Sequence, residues 1–160
     1  MRVEKDFEEF IRLLNRHKVK YLIVGAYAVA FHAQPRNTGD IDFFIESEKD
    51  NAKRLIKAIR DFGFESLNLT EDDFIKPDYV VQLGYEPNRI DLLSSISGIK
   101  FDRGYAAKVK GMFGGETAWF ISFDDLLRNK QAVNRKRDAA DVELLSKFKK
   151  LKKKKKENKP

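Results

Sequence analysis

Two aspartates separated by one residue, Asp40 and Asp42, stand at the start of the apolar run IDFFIE. Because side chains two residues apart on a strand point to the same face of a sheet, the two carboxylates are expected to lie side by side. Carboxylates this close repel each other, so one of them takes up a proton or both share a divalent cation. Oxygen ligands of this kind suit Mg²⁺ or Mn²⁺. We therefore predict a Mg²⁺ (or Mn²⁺) site at Asp40 and Asp42.

A third acid, Asp91, lies in another apolar run, NRIDLL, where an unpaired buried carboxylate would be costly. If its strand lies beside that of Asp42, three carboxylates converge in the geometry used for two-metal phosphoryl or nucleotidyl transfer. A structural alternative stays open for each acid. An Asp beside Gly39 is an ordinary turn residue, and Asp91 can pair with Arg89 or Arg36.

The residues before the acidic pair suit a phosphate group. Gly25 follows the buried run YLIV and precedes the helix-forming AYAVAFHA. A small residue at such a turn lets a phosphate approach the backbone N–H groups of a helix N-terminus. Glycine is also common there for backbone reasons alone. Further along, Arg36 can neutralise phosphate charge, and Thr38 can cap the turn that leads into the acidic pair.

Hydrophobic periodicity predicts the elements that position these residues. The first helix is indicated by apolar residues at i, i+3, i+4 and i+7, and Pro35 ends the second. Ser47 with Asp50 predicts a capped helix start, and residues 66–78 are predicted to form a polar loop. The order α-β-α-β-α-β-β-α-β-α-α predicts an α+β (mixed α/β) fold, with a small mixed β-sheet flanked by helices and a C-terminal helical extension.

Composition excludes several kinds of chemistry. The chain has 160 residues, no Cys and two His, so disulfides, thiol catalysis and Cys- or His-rich metal sites are ruled out. The formal net charge of +7 comes from residues 147–160, which hold nine of the 32 basic and one of the 25 acidic side chains. The remaining 146 residues are nearly neutral.

These features predict one domain over residues 1–146, with a helical C-terminal part at about 123–146, and a flexible Lys-rich tail over 147–160. The tail either binds RNA, DNA or anionic surfaces non-specifically, or it is a solubilising end of the last helix. No apolar run reaches the roughly 18 residues of a membrane span, and the charged N-terminus argues against a secretory signal. We therefore expect a cytoplasmic protein.

The run VGAYAVAFHAQPRNTGDIDFFI resembles the signature of the nucleotidyltransferase superfamily, which has a polymerase-beta-like fold. The later run DLLRNKQAVNRKRDAADVELL is similar to the lysine-containing helix and closing motif of small stand-alone prokaryotic members, including the abortive-infection-type toxins. The resemblance covers residues 20–146. Ala26 departs from the family pattern, which has Gly or Ser there.

The resemblance implies roles for individual residues. Asp40, Asp42 and Asp91 would be metal ligands and catalytic residues, with Asp91 as the base on the acceptor hydroxyl. The residues that would bind or orient the nucleotide are Gly25, Ala26, Arg36, Thr38, Lys130, Arg137, Asp138 and Asp141. Among them Lys130 would face the phosphates, and Asp138 or Asp141 would cap or orient it, or touch the nucleotide.

The resemblance also implies a function: Mg²⁺-dependent transfer of a nucleoside monophosphate from a nucleoside triphosphate to a hydroxyl group. The acceptor stays open between RNA, protein and a small molecule. The chain is either an independent enzyme or a toxin–antitoxin component with a cognate antitoxin or regulator. The alternative, favoured by Ala26, is a non-catalytic member of the fold that binds a nucleotide or a partner.

Overall fold

The computed structural model describes residues 4–159, apart from the side chain of Ser66. The helices are α1 (Lys5–Arg16), α2 (Gly25–His32), α3 (Lys49–Asp61), α4 (Asp72–Ile75), α5 (Phe101–Ala106), α6 (Phe123–Val133) and α7 (Lys136–Glu157). The strands are β1 (Tyr21–Val24), β2 (Asp40–Ile45), β3 (Val80–Leu83), β4 (Arg89–Leu93), β5 (Val109–Phe113) and β6 (Glu116–Phe120). No helix in this part of the chain combines the length and apolarity that crossing a membrane requires.

All six strands form one mixed sheet in the order β3-β4-β2-β1-β6-β5. The acidic strand β2 lies inside the sheet, antiparallel to β1 and parallel to β4. Its residue Asp42 pairs with Val24 on β1 and with Asp91 on β4. The predicted α+β class, with a mixed sheet flanked by helices and a C-terminal helical part, is confirmed.

Apolar side chains cover both faces of the sheet. On one face, Ile23 of β1 and Phe43 of β2 pack in the same cluster as buried residues of α1 and α3. On the other face, Val24 and Phe44 pack with residues of α2, α6 and α7. Burying each such side chain stabilises the fold by about 1.5–3 kcal/mol. Because Asp42 alternates with Phe43, it lies on the α6–α7 face, which brings those two helices to the acidic strand.

Three local expectations were wrong. The predicted element order lacks β5, which pairs antiparallel with β6 and has Gly111 within the strand, opposite Ala118. Helix α3 begins at Lys49 without a side-chain cap, because the Ser47 hydroxyl donates instead to the carbonyl oxygen of Ser94 at 2.9 Å. Helix α4 lies within the predicted loop, where it buries Phe74. Helix α7 continues to Glu157, so most of the lysine-rich segment is helical, while the flexibility of this segment stays a prediction.

Candidate active site

Three carboxylates meet where β2 and β4 run side by side. Asp40 and Asp42 lie on β2, Asp91 lies on β4, and one carboxylate oxygen from each lies within 4.8 Å of the others. Asp91 is buried, whereas the other two are partly accessible. The period-2 alternation of both strands produces this convergence, since Asp42 and Asp91 are register partners.

Arg89 holds two of the three acids. Its Nε donates to Asp91 Oδ1 at 2.7 Å, and its Nη2 donates to Asp91 Oδ2 at 3.0 Å and to Asp40 Oδ2 at 3.1 Å. The bond to Asp91 raises the pKa of the Arg89 guanidinium. Sequence reasoning named Arg89 only as a structural partner for Asp91. Its spacing of two residues from Asp91, which puts both side chains on one face of β4, was the signal for a place in the site.

Asp42 is the acid that Arg89 does not hold. Burial, together with the neighbouring charges of Asp40 and Asp91, raises the pKa of the Asp42 carboxyl to about 7, against an opposing effect of Lys130. Three acids against one guanidinium leave negative charge that a cation can neutralise. Oxygen donors in this arrangement fit a divalent cation such as Mg²⁺, so the residues present are suited to hold a metal.

The pKa of Asp42 predicts how the metal-free protein responds to pH. The folded state holds a proton on Asp42 up to about pH 7, whereas an unfolded chain releases it near pH 4. The free energy of unfolding therefore falls as pH rises between these values. We expect Asp42→Asn to be more stabilising at pH 8 than at pH 5, in denaturant unfolding with a chelator present. Equal effects at both pH values would contradict the proton on Asp42.

Gly25 brings the backbone against the acidic cluster. It is the first residue of α2 and has φ +66°, a conformation that glycine adopts without steric cost. A Cβ atom at this position would lie 2.2 Å from Asp42 Oδ2 and 3.1 Å from Asp42 Cγ. The absence of a side chain therefore makes room for the carboxylate. Ala26, the next residue, lines the same cleft.

Gly25→Ala is expected to displace the Asp42 carboxylate and to lower any transferase activity strongly. The positive φ adds strain of about 1–3 kcal/mol to the folded state. Gly63→Ala is the matched control, because Gly63 has φ +107° and a Cβ atom added there would have no neighbour within 4 Å. Both variants carry the backbone strain of a positive φ, but only Gly25→Ala brings a Cβ atom against Asp42. Denaturant unfolding and transferase assays of both variants therefore separate the effect of the strain from the effect of that contact. Equal activity in the two variants would argue against the role of this contact.

Lys130 anchors the cationic side of the cleft. Its Nζ lies 3.1 Å from Asp138 Oδ1 and 3.0 Å from Asp141 Oδ2, joining α6 to the start of α7. Arg135 Nε donates to Asp138 Oδ2 at 2.6 Å, and Arg36 pairs with Asp141. Three cations thus surround two acids, which leaves net positive charge here. The positive charge of Lys130 also favours the ionised form of Asp42 and so opposes the rise in its pKa.

The acidic and cationic groups line one cleft of about 500 Å³. Thr38 lines it and donates to Asp40 Oδ1 at 3.1 Å, and exposed Arg137 lines it from α7. The structure brings every predicted site residue to this cleft except Asp141, which reaches it through Lys130. Lining residues that sequence reasoning missed include Gln82, Glu86, Arg89, Asn129 and Arg135. Arg135 had a local signal, since it lies three residues before Asp138 at a helix start.

The cleft therefore brings the acidic residues of β2 and β4 together with the basic residues of α6 and α7. The fold is similar to that of the lincosamide antibiotic adenylyltransferase LnuA in its lincomycin-bound crystal structure, with a TM-score of 0.54 and 15% sequence identity. The likeness covers 91% of this chain and 97% of that chain, and it concerns the fold. Among curated proteins, none matches this sequence.

Residues 3–159 match the model of the family described as "Nucleotidyl transferase of unknown function (DUF2204)", and the chain belongs to that family. The resemblance to the nucleotidyltransferase superfamily is confirmed by this match and by the similar fold of LnuA.

Proposed function

We propose that the protein is a Mg²⁺-dependent nucleotidyltransferase that transfers a nucleoside monophosphate from a nucleoside triphosphate to a hydroxyl group. The observation that carries the proposal is the convergence of Asp40, Asp42 and Asp91 within 4.8 Å, in one cleft with Lys130. Family membership supports nucleotidyl transfer in general.

Each side of the cleft binds one part of the nucleotide complex. Asp40, Asp42 and Asp91 would hold Mg²⁺, which when bound neutralises charge on the phosphate oxygens. The backbone N–H groups at the start of α2, around Ala26, bind phosphate oxygens as helix N-termini do. Lys130 supplies a fixed positive charge on the opposite side, where its two acidic partners keep the ammonium in place.

The reaction joins the acceptor oxygen to the α-phosphorus. As this bond forms, the bond from the α-phosphorus to the bridging α–β oxygen breaks and pyrophosphate leaves. The hydroxyl proton passes to the Asp91 carboxylate and then to solvent. Arg89 donates to both Asp91 oxygens, and each oxygen keeps a second lone pair that can accept the proton while Arg89 holds the carboxylate in place. Arg89 is therefore a positioning residue for Asp91.

Transfer is tested with nucleoside triphosphates labelled at the α- or the γ-phosphate. Cell extract, total RNA and purified protein serve as acceptors. We expect Mg²⁺-dependent incorporation of the α-label, with the γ-label recovered in pyrophosphate. Incorporation of the γ-label would instead indicate a kinase. Binding of a nucleotide without incorporation of either label would favour the non-catalytic alternative.

A toxin–antitoxin role, with a cognate antitoxin or regulator, is the biological setting that the resemblance suggests. It predicts that expression of the wild type slows growth of a bacterial host, and that a chain inactivated at Asp42 does not. Growth curves of the two strains at equal protein levels test this role. Equal growth would argue against it without bearing on the chemistry.

A further inference from the structure

The distal half of α7 presents a dense row of positive charges. We name residues 147–157 the basic segment; it holds eight lysines and one glutamate. Lys147 lies 3.5 Å from Glu143, and Lys149 lies 3.6 Å from Asp124. Within the described residues, the other six lysines of the segment have no acidic partner, and all six are exposed.

The basic segment lies at a defined distance from the cleft. Asp138 and Asp141, near the start of α7, are held to Lys130, which lines the cleft. At a rise of about 1.5 Å per residue, Lys150 lies about 14 Å along the helix from Asp141, and Lys156 about 22 Å. The Lys152 ammonium also lies 4.4 Å from the Phe123 ring centroid, so the segment still contacts α6 there.

The charge pattern fits a polyanion better than a membrane surface. A helix that lies on a membrane needs an apolar face, whereas the only exposed large hydrophobic residue of the basic segment is Leu151. A nucleic acid strand carries one phosphate per about 3.4 Å, so 14–22 Å corresponds to about four to seven nucleotides. A strand of that length reaches from the basic segment to the cleft.

We infer that the acceptor is an RNA, whose phosphate backbone binds along the basic segment while its terminal hydroxyl reaches the three carboxylates. This inference rests on the proposed function, since it names the acceptor for that reaction. The RNA hydroxyl oxygen forms the new bond to the α-phosphorus, pyrophosphate leaves, and the proton passes through Asp91 to solvent. The basic segment contributes binding and position and takes no part in the chemical step.

The test compares two triple variants of the full chain. One carries Lys150→Gln, Lys153→Gln and Lys154→Gln in the basic segment. The control carries Lys49→Gln, Lys53→Gln and Lys57→Gln on α3, whose lysines are exposed and have no acidic partner within the described residues. Glutamine matches lysine in helix propensity, so both folds should persist, which thermal unfolding verifies.

RNA binding is measured first, by fluorescence anisotropy of a 20-nucleotide single-stranded RNA over a series of salt concentrations. Here K is the association constant for RNA, and log K falls linearly with the logarithm of the salt concentration. Losing three phosphate contacts makes this negative slope shallower by about 2, and we expect at least a tenfold loss of affinity for the basic-segment variant. The α3 variant should bind as the wild type does. Equal losses in the two variants, or tighter binding of phosphatidylserine vesicles than of RNA, would overturn the inference.

Transfer is then measured with the α-labelled nucleotide on the same RNA. We expect the basic-segment variant to need at least tenfold more RNA while its thermal response to Mg²⁺ and nucleotide stays intact. Asp42→Asn should bind RNA but leave it unlabelled. Label on protein or on single-stranded DNA in preference to RNA overturns the inference. A wild type that binds RNA through these lysines but does not respond to Mg²⁺ and nucleotide refutes the proposed function instead.

Discussion

Asp42→Asn is expected to lower nucleotidyl transfer by about 10³-fold or more, because it removes charge where the metal and the phosphates are proposed to bind. The substitution keeps the size of the side chain and its place between Val24 and Asp91 on neighbouring strands. It also removes the acid whose pKa is raised to about 7 by burial and by its two acidic neighbours. The metal-free variant should therefore be at least as stable as the wild type at neutral pH.

The measurement is the initial rate of α-label transfer at saturating nucleotide and Mg²⁺, combined with thermal unfolding in a chelator. Asp50→Asn provides the control, because it makes the same chemical change at an exposed position of α3. It should leave the rate unchanged and lower the free energy of unfolding by no more than about 1 kcal/mol, because Asp50 lies in the first turn of α3, where a negative charge is favourable. An Asp42→Asn variant that kept more than about one tenth of the wild-type rate would exclude Asp42 as an essential ligand.

Lys130→Met is expected to produce the largest loss of stability. The Lys130 side chain is 8% exposed and lies between the side chains of Asp138 and Asp141, which are 0% and 6% exposed. Removing one partner of a buried ionic group leaves uncompensated charge and costs about 3–5 kcal/mol. Because Arg135 still pairs with Asp138 and Arg36 with Asp141, we expect a value at the lower end of this range.

Denaturant unfolding at pH 7 measures this loss. Lys136→Met is the matched control, since Lys136 is exposed at the first residue of α7 and has no acidic partner within residues 4–159. A change of no more than about 0.5 kcal/mol is expected there. If the two variants were equally stable, the ion pairs of Lys130 with Asp138 and Asp141 would not be what stabilises the packing of α6 against α7.

The acidic half of the site was predictable because it follows from local patterns. Asp40 and Asp42 stand in an apolar run whose period of two residues places both on one face, and Asp91 stands in a second such run. Family resemblance then supplied Lys130 as the cationic counterpart. The cap of α6 is also a local pattern, since the backbone N–H of Asp125 donates at 3.2 Å to the hydroxyl of Ser122, three residues earlier.

Two pairings within the site were not predictable, because they join residues far apart in the chain. The pairing of Arg36 with Asp141 joins residues 105 positions apart. The contact from Arg89 to Asp40 spans 49 positions and requires β2 and β4 to be neighbours. Phe74 shows the same limit for the fold, since the short helix in this polar segment buries its aromatic ring in a core formed by distant parts of the chain.

The most direct test of the proposed nucleotide site is the thermal response to nucleotide and Mg²⁺, since a ligand that binds only the folded state raises the melting temperature. Wild type and Asp42→Asn are compared with each of the four nucleoside triphosphates, with millimolar Mg²⁺ or with a chelator. We expect a rise in melting temperature that requires both nucleotide and Mg²⁺ and is lost in Asp42→Asn. No rise with any nucleotide, or the same rise in the variant, would contradict a nucleotide site at the three carboxylates.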